Sequence, residues 1–141
     1  MFQQDYLMRL IWQFVEALRR TVEKDEDPEA KAESVEGAIA NALEMDANVV
    51  LGLAPESFAS ILQVSGTDPH VVEYLVRGMA LESHYLERAG KSQAAQLRFD
   101  QAAALAHAYG IDAPEPGEIP AAEDFDDMLE ADGISAEDLD E

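Results

Sequence analysis

The sequence predicts an all-α fold built of helical hairpins, and three observations carry that prediction. Apolar residues recur at three- and four-residue steps along most of the first 110 positions, the spacing that lines one face of a helix. Asp followed by Pro occurs twice, at Asp27-Pro28 and Asp68-Pro69. An Asp side chain accepts from the orphan N–H groups of a first turn, while Pro at the first helical position has no N–H to lose. No stretch sustains the period-two alternation, bounded by hairpin turns, that a strand requires.

The first helix runs from about Gln3 to Lys24. Leu7, Leu10, Ile11, Phe14, Leu18 and Val22 form one apolar stripe, and Met8, Trp12 and Val15 widen it. A surface helix needs a stripe of roughly 100°; this one is wider, so it is either clamped between other helices or buried in part by a second copy of the chain. Trp12 beside Met8 and Val15 is the composition favoured at interface cores. Those three are candidate partner-binding residues, and helix one is the candidate contact of a homodimer. Its polar side carries two acid-before-base pairs, Asp5 with Arg9 and Glu16 with Arg20, each contributing roughly 0.2–0.5 kcal/mol.

A second helix starts at Pro28 and reaches about Met45, with Val35, Ala38, Ile39, Ala42, Leu43 and Met45 on its apolar face. Asp46 caps a short turn through Val49, Val50 and Leu51. Pro55 then opens a helix carrying Phe58, Ile61, Leu62 and Val64, which stops before Ser65 and Gly66. The chain is organised around the hairpin that follows, Asp68 to Gly110. Its first arm presents Val72, Leu75, Val76, Met79 and Leu86. After the break at Gly90, Ser92 is placed to cap the second arm, which carries Ala95, Leu97, Phe99, Ala102, Ala103, Leu105, Ala106 and Tyr109. Phe99 alone is large among Ala95, Ala102 and Ala103, so it is expected to be buried between the two arms.

Sliding the chain by 41 positions sets Asp27-Pro28 on Asp68-Pro69, Gly37 on Gly78, Ala54 on Ala95 and Phe58 on Phe99. The Ala95, Phe99, Ala102 spacing is that of the second helix of a tetratricopeptide repeat. The usual Trp, Leu and Gly of the first repeat helix are absent; Met79, Glu82 and Ser83 stand in their places. A degenerate tetratricopeptide-like hairpin and a generic antiparallel one both satisfy the pattern.

The opening Phe2, Asp5, Tyr6, Met8, Arg9 and Ile11, the Leu53-Ala54-Pro55-Glu56 segment, and the turn Glu87-Arg88-Ala89-Gly90-Lys91 with its Ala-rich second helix together resemble a family of small bacterial all-helical proteins of unknown function. The resemblance covers about residues 1–110. It implies a cytoplasmic all-helical fold related to tetratricopeptide repeats, and no assigned activity, substrate or cofactor.

The chain has 141 residues, enough for one core of ordinary size. Two units are expected, a helical domain over 1–110 and a Pro/Gly linker with an acidic tail over 111–141. Formal net charge is −21, and residues 112–141 hold 13 of the 30 acids and no base. Such a surface repels phosphate backbones and anionic membranes, so neither nucleic acid nor membrane is an expected partner. With no Cys, disulfides and thiolate metal sites are excluded. The charged residues of the first helix break any run of membrane-span or signal-peptide quality, and a cytoplasmic location is the default. Within the tail, Phe125, Met128, Leu129 and Ile134 sit at helical steps among acids, with Ser135 placed to cap a last turn. Phe125, Met128 and Leu129 are the tail's candidate partner-binding residues, docking on the body or on another molecule.

Catalytic signals are sparse. His84 and Glu87 share a helix face at a step that suits a metal, but no Glu-x-x-His step exists to complete a di-metal carboxylate site. Asp132-Gly133-Ile134-Ser135 has the texture of the middle of an EF-hand loop, yet the flanking ligand places hold Met128 and Leu139. No phosphate loop or nucleophile motif is present. The expectation is a non-enzymatic protein-interaction or scaffold module with no catalytic, cofactor or metal residues. Two alternatives stand beside it: a small-molecule or metal-binding enzyme using the His84/Glu87 face, and an acidic tail acting as regulatory competitor for a partner's groove.

Overall fold

The computed structural model describes residues 2–134, with side chains from Tyr6 onward except that of Ala122. The Asp5–Arg9 pair and the Ser135 cap lie outside the described residues. Among the described residues seven helices follow in order: α1 (Phe2–Glu23), α2 (Pro28–Leu43), α3 (Ala47–Val50), α4 (Pro55–Ser65), α5 (Pro69–Arg88), α6 (Ser92–Tyr109) and α7 (Ala122–Ala131). No strand occurs among the described residues.

Both Asp-Pro starts act as read. Asp27 accepts the Ala30 N–H at 2.8 Å and Asp68 accepts the His70 N–H at 2.8 Å, each with Pro at the first helical turn. Asp46 caps α3 through the Asn48 N–H at 3.1 Å. At Gly90 the backbone enters the left-handed region at φ 81°, and the Lys91 N–H then reaches back to the Leu86 carbonyl at 2.9 Å. This closes α5 as glycine at that place commonly does. The second arm departs from expectation at its start, where Lys91 takes the capping place without a side-chain bond. The Ser92 hydroxyl instead donates to the Glu87 carboxylate at 2.9 Å. α2 stops two residues before Met45, where Glu44 turns left-handed at φ 57°.

α5 is the central element, packed against α6, α2 and α1 and buried along most of its length from Val71 to Leu86. It approaches α1 closely at Gly78, where an added Cβ would lie 2.5 Å from the Phe14 ring. α4 is an edge helix that rests on α6. The Tyr109 hydroxyl ties its end down by donating to the Thr67 carbonyl at 3.1 Å.

The width of the α1 stripe has its account within one chain. Phe14 and Leu18 meet α5 at Gly78, while Leu10, Gln13 and Ala17 face Ala38 and Asn41 of α2 across a groove. Met8, Trp12, Val15 and Arg19 recur at three- and four-residue steps and so share a third face; on it Arg19 bonds Asp126 of α7. Three helices thus clamp α1.

Phe99 corrects the sequence reading. It is half-buried and lines a surface groove with Pro116, Gly117 and Ile119 of the linker. The buried stripe of α6 is Ala95, Arg98, Gln101, Ala102, Leu105 and Ala106, a helical face from which positions 97 and 99 are rotated away. Phe58, its counterpart 41 positions earlier, is fully buried.

Candidate functional site

Two places draw functional groups together: a charge cluster inside the body and the seam between α1 and α7. The cluster is centred on Arg98 of α6. Its Nε donates to Glu82 of α5 at 2.8 Å and its Nη2 to Glu36 of α2 at 3.2 Å. Nη1 donates to the Gln101 side-chain oxygen at 2.6 Å and to the Leu51 carbonyl at 3.0 Å. Gln101 completes the set with its amide nitrogen, which donates to the carbonyls of Leu51 at 2.9 Å and Leu53 at 2.8 Å. Three helices and the α3–α4 loop are therefore joined by one guanidinium and one amide.

Glu82 is fully buried, and its second carboxyl oxygen has no hydrogen-bond partner. Burial pushes its pKa up to about 8, against the pull of Arg98 and with the help of the neighbouring Glu36 carboxyl. At neutral pH the cluster therefore holds one guanidinium, one carboxylate and one proton, which brings its net charge near zero. Such neutralisation is how a buried carboxyl escapes the desolvation cost of its ionised form. None of the surface grooves described below reaches this cluster. Its chemistry is that of a clasp, because apart from the Arg98–Gln101 bond within α6 every hydrogen bond named above ends on another part of the fold.

The six residues that the sequence marked as candidate partner-binding positions lie on the two helices of the seam, Met8, Trp12 and Val15 on α1 and Phe125, Met128 and Leu129 on α7. Val15, Phe125 and Leu129 are buried, while Met8, Trp12 and Met128 pack half-buried against the same core. Ile134 is buried with them. Its N–H returns to the Leu129 carbonyl at 2.9 Å after Gly133 turns left-handed at φ 72°. The Asp132-Gly133 pair that had the texture of a calcium loop is thus the end of α7. Two polar contacts accompany the apolar ones: Arg19 with Asp126, and the Tyr74 hydroxyl donating to Asp132 at 2.6 Å. At the start of α7 the Asp124 carboxylate accepts the Ala121 N–H at 2.9 Å.

His84 and Glu87 do line one groove, of about 340 Å³, with Ser83, Phe99 and Ile119 among the other walls. Burial, then Arg88, lowers the His84 pKa and favours the neutral ring. The polar groups beside it are engaged, Glu87 with Ser92 and the Ser83 hydroxyl with the Ala95 carbonyl at 2.7 Å. No group of three or more potential metal ligands occurs among the described residues. A second groove, about 370 Å³, runs between α1 and α2, and a third, about 590 Å³, opens beyond it toward Val71; Tyr6 and Glu44, hydrogen-bonded to each other, line both.

Sequence reasoning missed Glu36, Glu82, Arg98 and Gln101. The signal was there. Glu82 falls in register with Leu75, Met79 and Leu86, and Arg98 with Ala95, Ala102 and Leu105, so each is a charge standing where the helix period calls for an apolar residue.

No family model, no curated protein and no solved structure matches the chain. Among the described residues no helix is long and apolar enough to cross a membrane.

Proposed function

We propose that the chain is a non-enzymatic protein-interaction module, a degenerate tetratricopeptide-like scaffold of the cytoplasm. The observation that carries this reading is where the polar groups point. The charged side chains that converge most tightly are turned inward and spent on the fold. The outside offers instead two grooves along α1 and unpartnered apolar side chains on the edge helix α4, with Val64 87% exposed and Ile61 38% exposed. Exposed apolar residues on a helix edge beside grooves are what a helical scaffold presents to other proteins.

The test is capture by the tagged full-length chain in its native host, followed by cross-linking of what is retained. A stoichiometric partner lost from an Ile61→Asp/Val64→Asp variant supports the reading. A saturable turnover abolished by His84→Ala would replace it with the enzyme of the His84/Glu87 groove.

A second reading has its own observation. α7 carries Glu123, Asp124, Asp126, Asp127 and Glu130 around its apolar anchors, and one cation, Arg19, meets it. A helix with so many like charges and so few polar attachments suits a regulatory arm that leaves the body to compete for a partner's groove.

A further inference from the structure

We propose that the α1 face beneath α7 is a helix-binding site filled in cis, and that in trans it accepts an acidic amphipathic helix of the same pattern from another protein. This deepens the interaction-module reading, on which it rests only in calling the surface functional.

The resident helix defines the chemistry of the guest. α7 enters the seam with an aromatic residue, Phe125, then Leu129 one turn on and Ile134 after the helix end, all buried, with Met128 half-buried beside them. Such anchors at i, i+3 and i+4 are the signature of a helix laid in a groove. The polar demands of the site are two: Arg19 takes the carboxylate that follows the aromatic, and the Tyr74 hydroxyl donates to a carboxylate past the last anchor. The remaining acids of α7 are exposed, so the site places no demand on them. A basic guest is disfavoured, since Arg19 would then face a like charge.

The attachment of α7 to the body shows why this is a filled site and not only a last layer of the fold. Twelve residues, 110–121, separate α6 from α7, a span that reaches roughly 40 Å when extended. An exposed turn sits in the middle of it, closed by the Glu118 N–H on the Glu115 carbonyl at 3.0 Å with Gly117 at φ 85°. Pro114 and Pro120 are buried, and Pro116, Gly117 and Ile119 line the groove beside Phe99 of α6. α7 therefore leaves by pivoting after Pro120 with the linker still seated, and a connection of this length carries no short-hinge strain that would drive exchange of α7 between two copies. It also sets the strength of the competition. A short tether holds its end at an effective concentration of the order of millimolar, so a guest at micromolar concentration displaces α7 only when it binds better or when α7 is drawn away.

The experiment uses the full chain with a protease recognition sequence inserted at the Glu115–Glu118 turn, measured before and after cleavage. Two labelled peptides are the probes. One is residues 119–134; the other keeps the residues at 125, 126, 128, 129, 132 and 134 and replaces the rest with Glu, Gln and Ala. Anisotropy of the label gives affinity, and fluorescence of Trp12, the single tryptophan, reports whether the seam is occupied. The expected result is that cleavage strengthens binding of both peptides by about ten- to a hundred-fold, that the two differ by less than ten-fold, and that Arg19→Glu weakens both at least five-fold. An uncut Asp126→Ala/Asp132→Ala chain, whose body keeps its full sequence, should gain affinity in the same direction should cleavage unfold the chain. Equal binding before and after cleavage, binding of the native peptide alone, or no binding to the cleaved chain and the double variant overturns the proposal. None of these outcomes bears on whether the host supplies a partner for α4, so the wider reading fails or stands by its own capture experiment.

Discussion

The Arg98 cluster and the α7 seam both join distant parts of the chain, and they do so by opposite means. In the cluster, residues from α2, α5, α6 and the α3–α4 loop meet through charge-assisted hydrogen bonds around the buried Glu82, Arg98 and Gln101, with half-exposed Glu36 at the rim, so loss of Arg98 leaves Glu82 and Gln101 buried and short of partners. At the seam, apolar side chains do most of the joining, and the two polar contacts end on Asp126 and Asp132, both exposed. Removal of the Arg19 guanidinium or the Tyr74 hydroxyl returns its carboxylate partner to solvent at little cost. The difference teaches which part of the molecule is fixed and which part can be released: a buried network is all or nothing, whereas an apolar seam with a solvated acidic outer face can open while the rest stays folded.

The largest effect that follows from this contrast is at Arg98. Arg98→Ala leaves Glu82 and Gln101 without the guanidinium's hydrogen bonds and the Leu51 carbonyl short of a donor, and stranding buried polar groups in this way costs about 1–3 kcal/mol for each. Urea unfolding should show that loss across the whole chain. The double variant Arg98→Leu/Glu82→Leu should recover much of it, because two apolar residues leave no stranded carboxyl between α5 and α6. A single variant with the stability of the wild type would mean that the cluster does not hold the fold.

Glu82 gives the next effect, through pH. Burial pushes its pKa up to about 8 in the folded chain, from the ordinary 4.5 of a glutamate. The folded state therefore binds a proton that the unfolded state has released. Stability from this group is complete below about pH 4.5 and is lost as pH rises from there through 8, by roughly 5 kcal/mol at most. Glu82→Gln keeps the neutral shape and removes the titration. Between pH 5 and 9 the wild type should lose stability relative to this variant, and parallel curves would show that Glu82 is already ionised in the folded chain.

These two residues also show what the sequence could and could not reveal. Helix order, the Asp-Pro starts and the place of the tail anchors are written in local spacing, and local spacing is what a single sequence displays. Whether a charge in core register marks a helix boundary, a solvated face or a buried clasp depends on what arrives from elsewhere. For Arg98 that is Glu36, 62 positions away, and the Leu51 carbonyl, 47 away. Phe99 failed for the complementary reason. Size suggested that it fills the hairpin, but Arg98 and Gln101 already occupy that side of α6, and the aromatic ring is turned toward the linker. The seam was legible in its residues and not in its pairing, since Trp12 and Phe125 each look for a partner without naming it.

Phe99 supplies the third effect. As a half-buried groove residue it should cost about 1–2 kcal/mol on replacement by Ala, whereas Phe58→Ala, at the matching and fully buried place, should cost about 3–5 kcal/mol. Thermal or urea melts of the two variants compare the halves of the 41-residue echo directly. Equal losses would mean that the linker seals Phe99 as fully as α4 and α6 seal Phe58.

The smallest effect belongs to Tyr74, and it separates seam from body most sharply. Its ring is buried in α5 while its hydroxyl reaches Asp132. Tyr74→Phe keeps the ring and its packing and removes only the donor. Burial, with the Asp132 carboxylate beside it, raises the phenol's pKa, so in the wild type this bond does not titrate away at neutral or mildly alkaline pH. Because Asp132 is exposed, it recovers water when the donor is gone, and the net loss should be about 0.5–1.5 kcal/mol. That loss should appear as faster hydrogen exchange over residues 123–134 with exchange in α5 and α6 unchanged. Salt gives the same experiment a second axis. α7 sets several acids against the single cation of Arg19, so screening relieves more repulsion than attraction, and protection of the seam should rise between about 10 and 150 mM salt as the Debye length shortens from roughly 30 to 8 Å. If Tyr74→Phe instead slows or speeds exchange throughout α5, or if salt weakens protection over 123–134, the seam is energetically part of the Arg98 body and α7 is not a releasable helix.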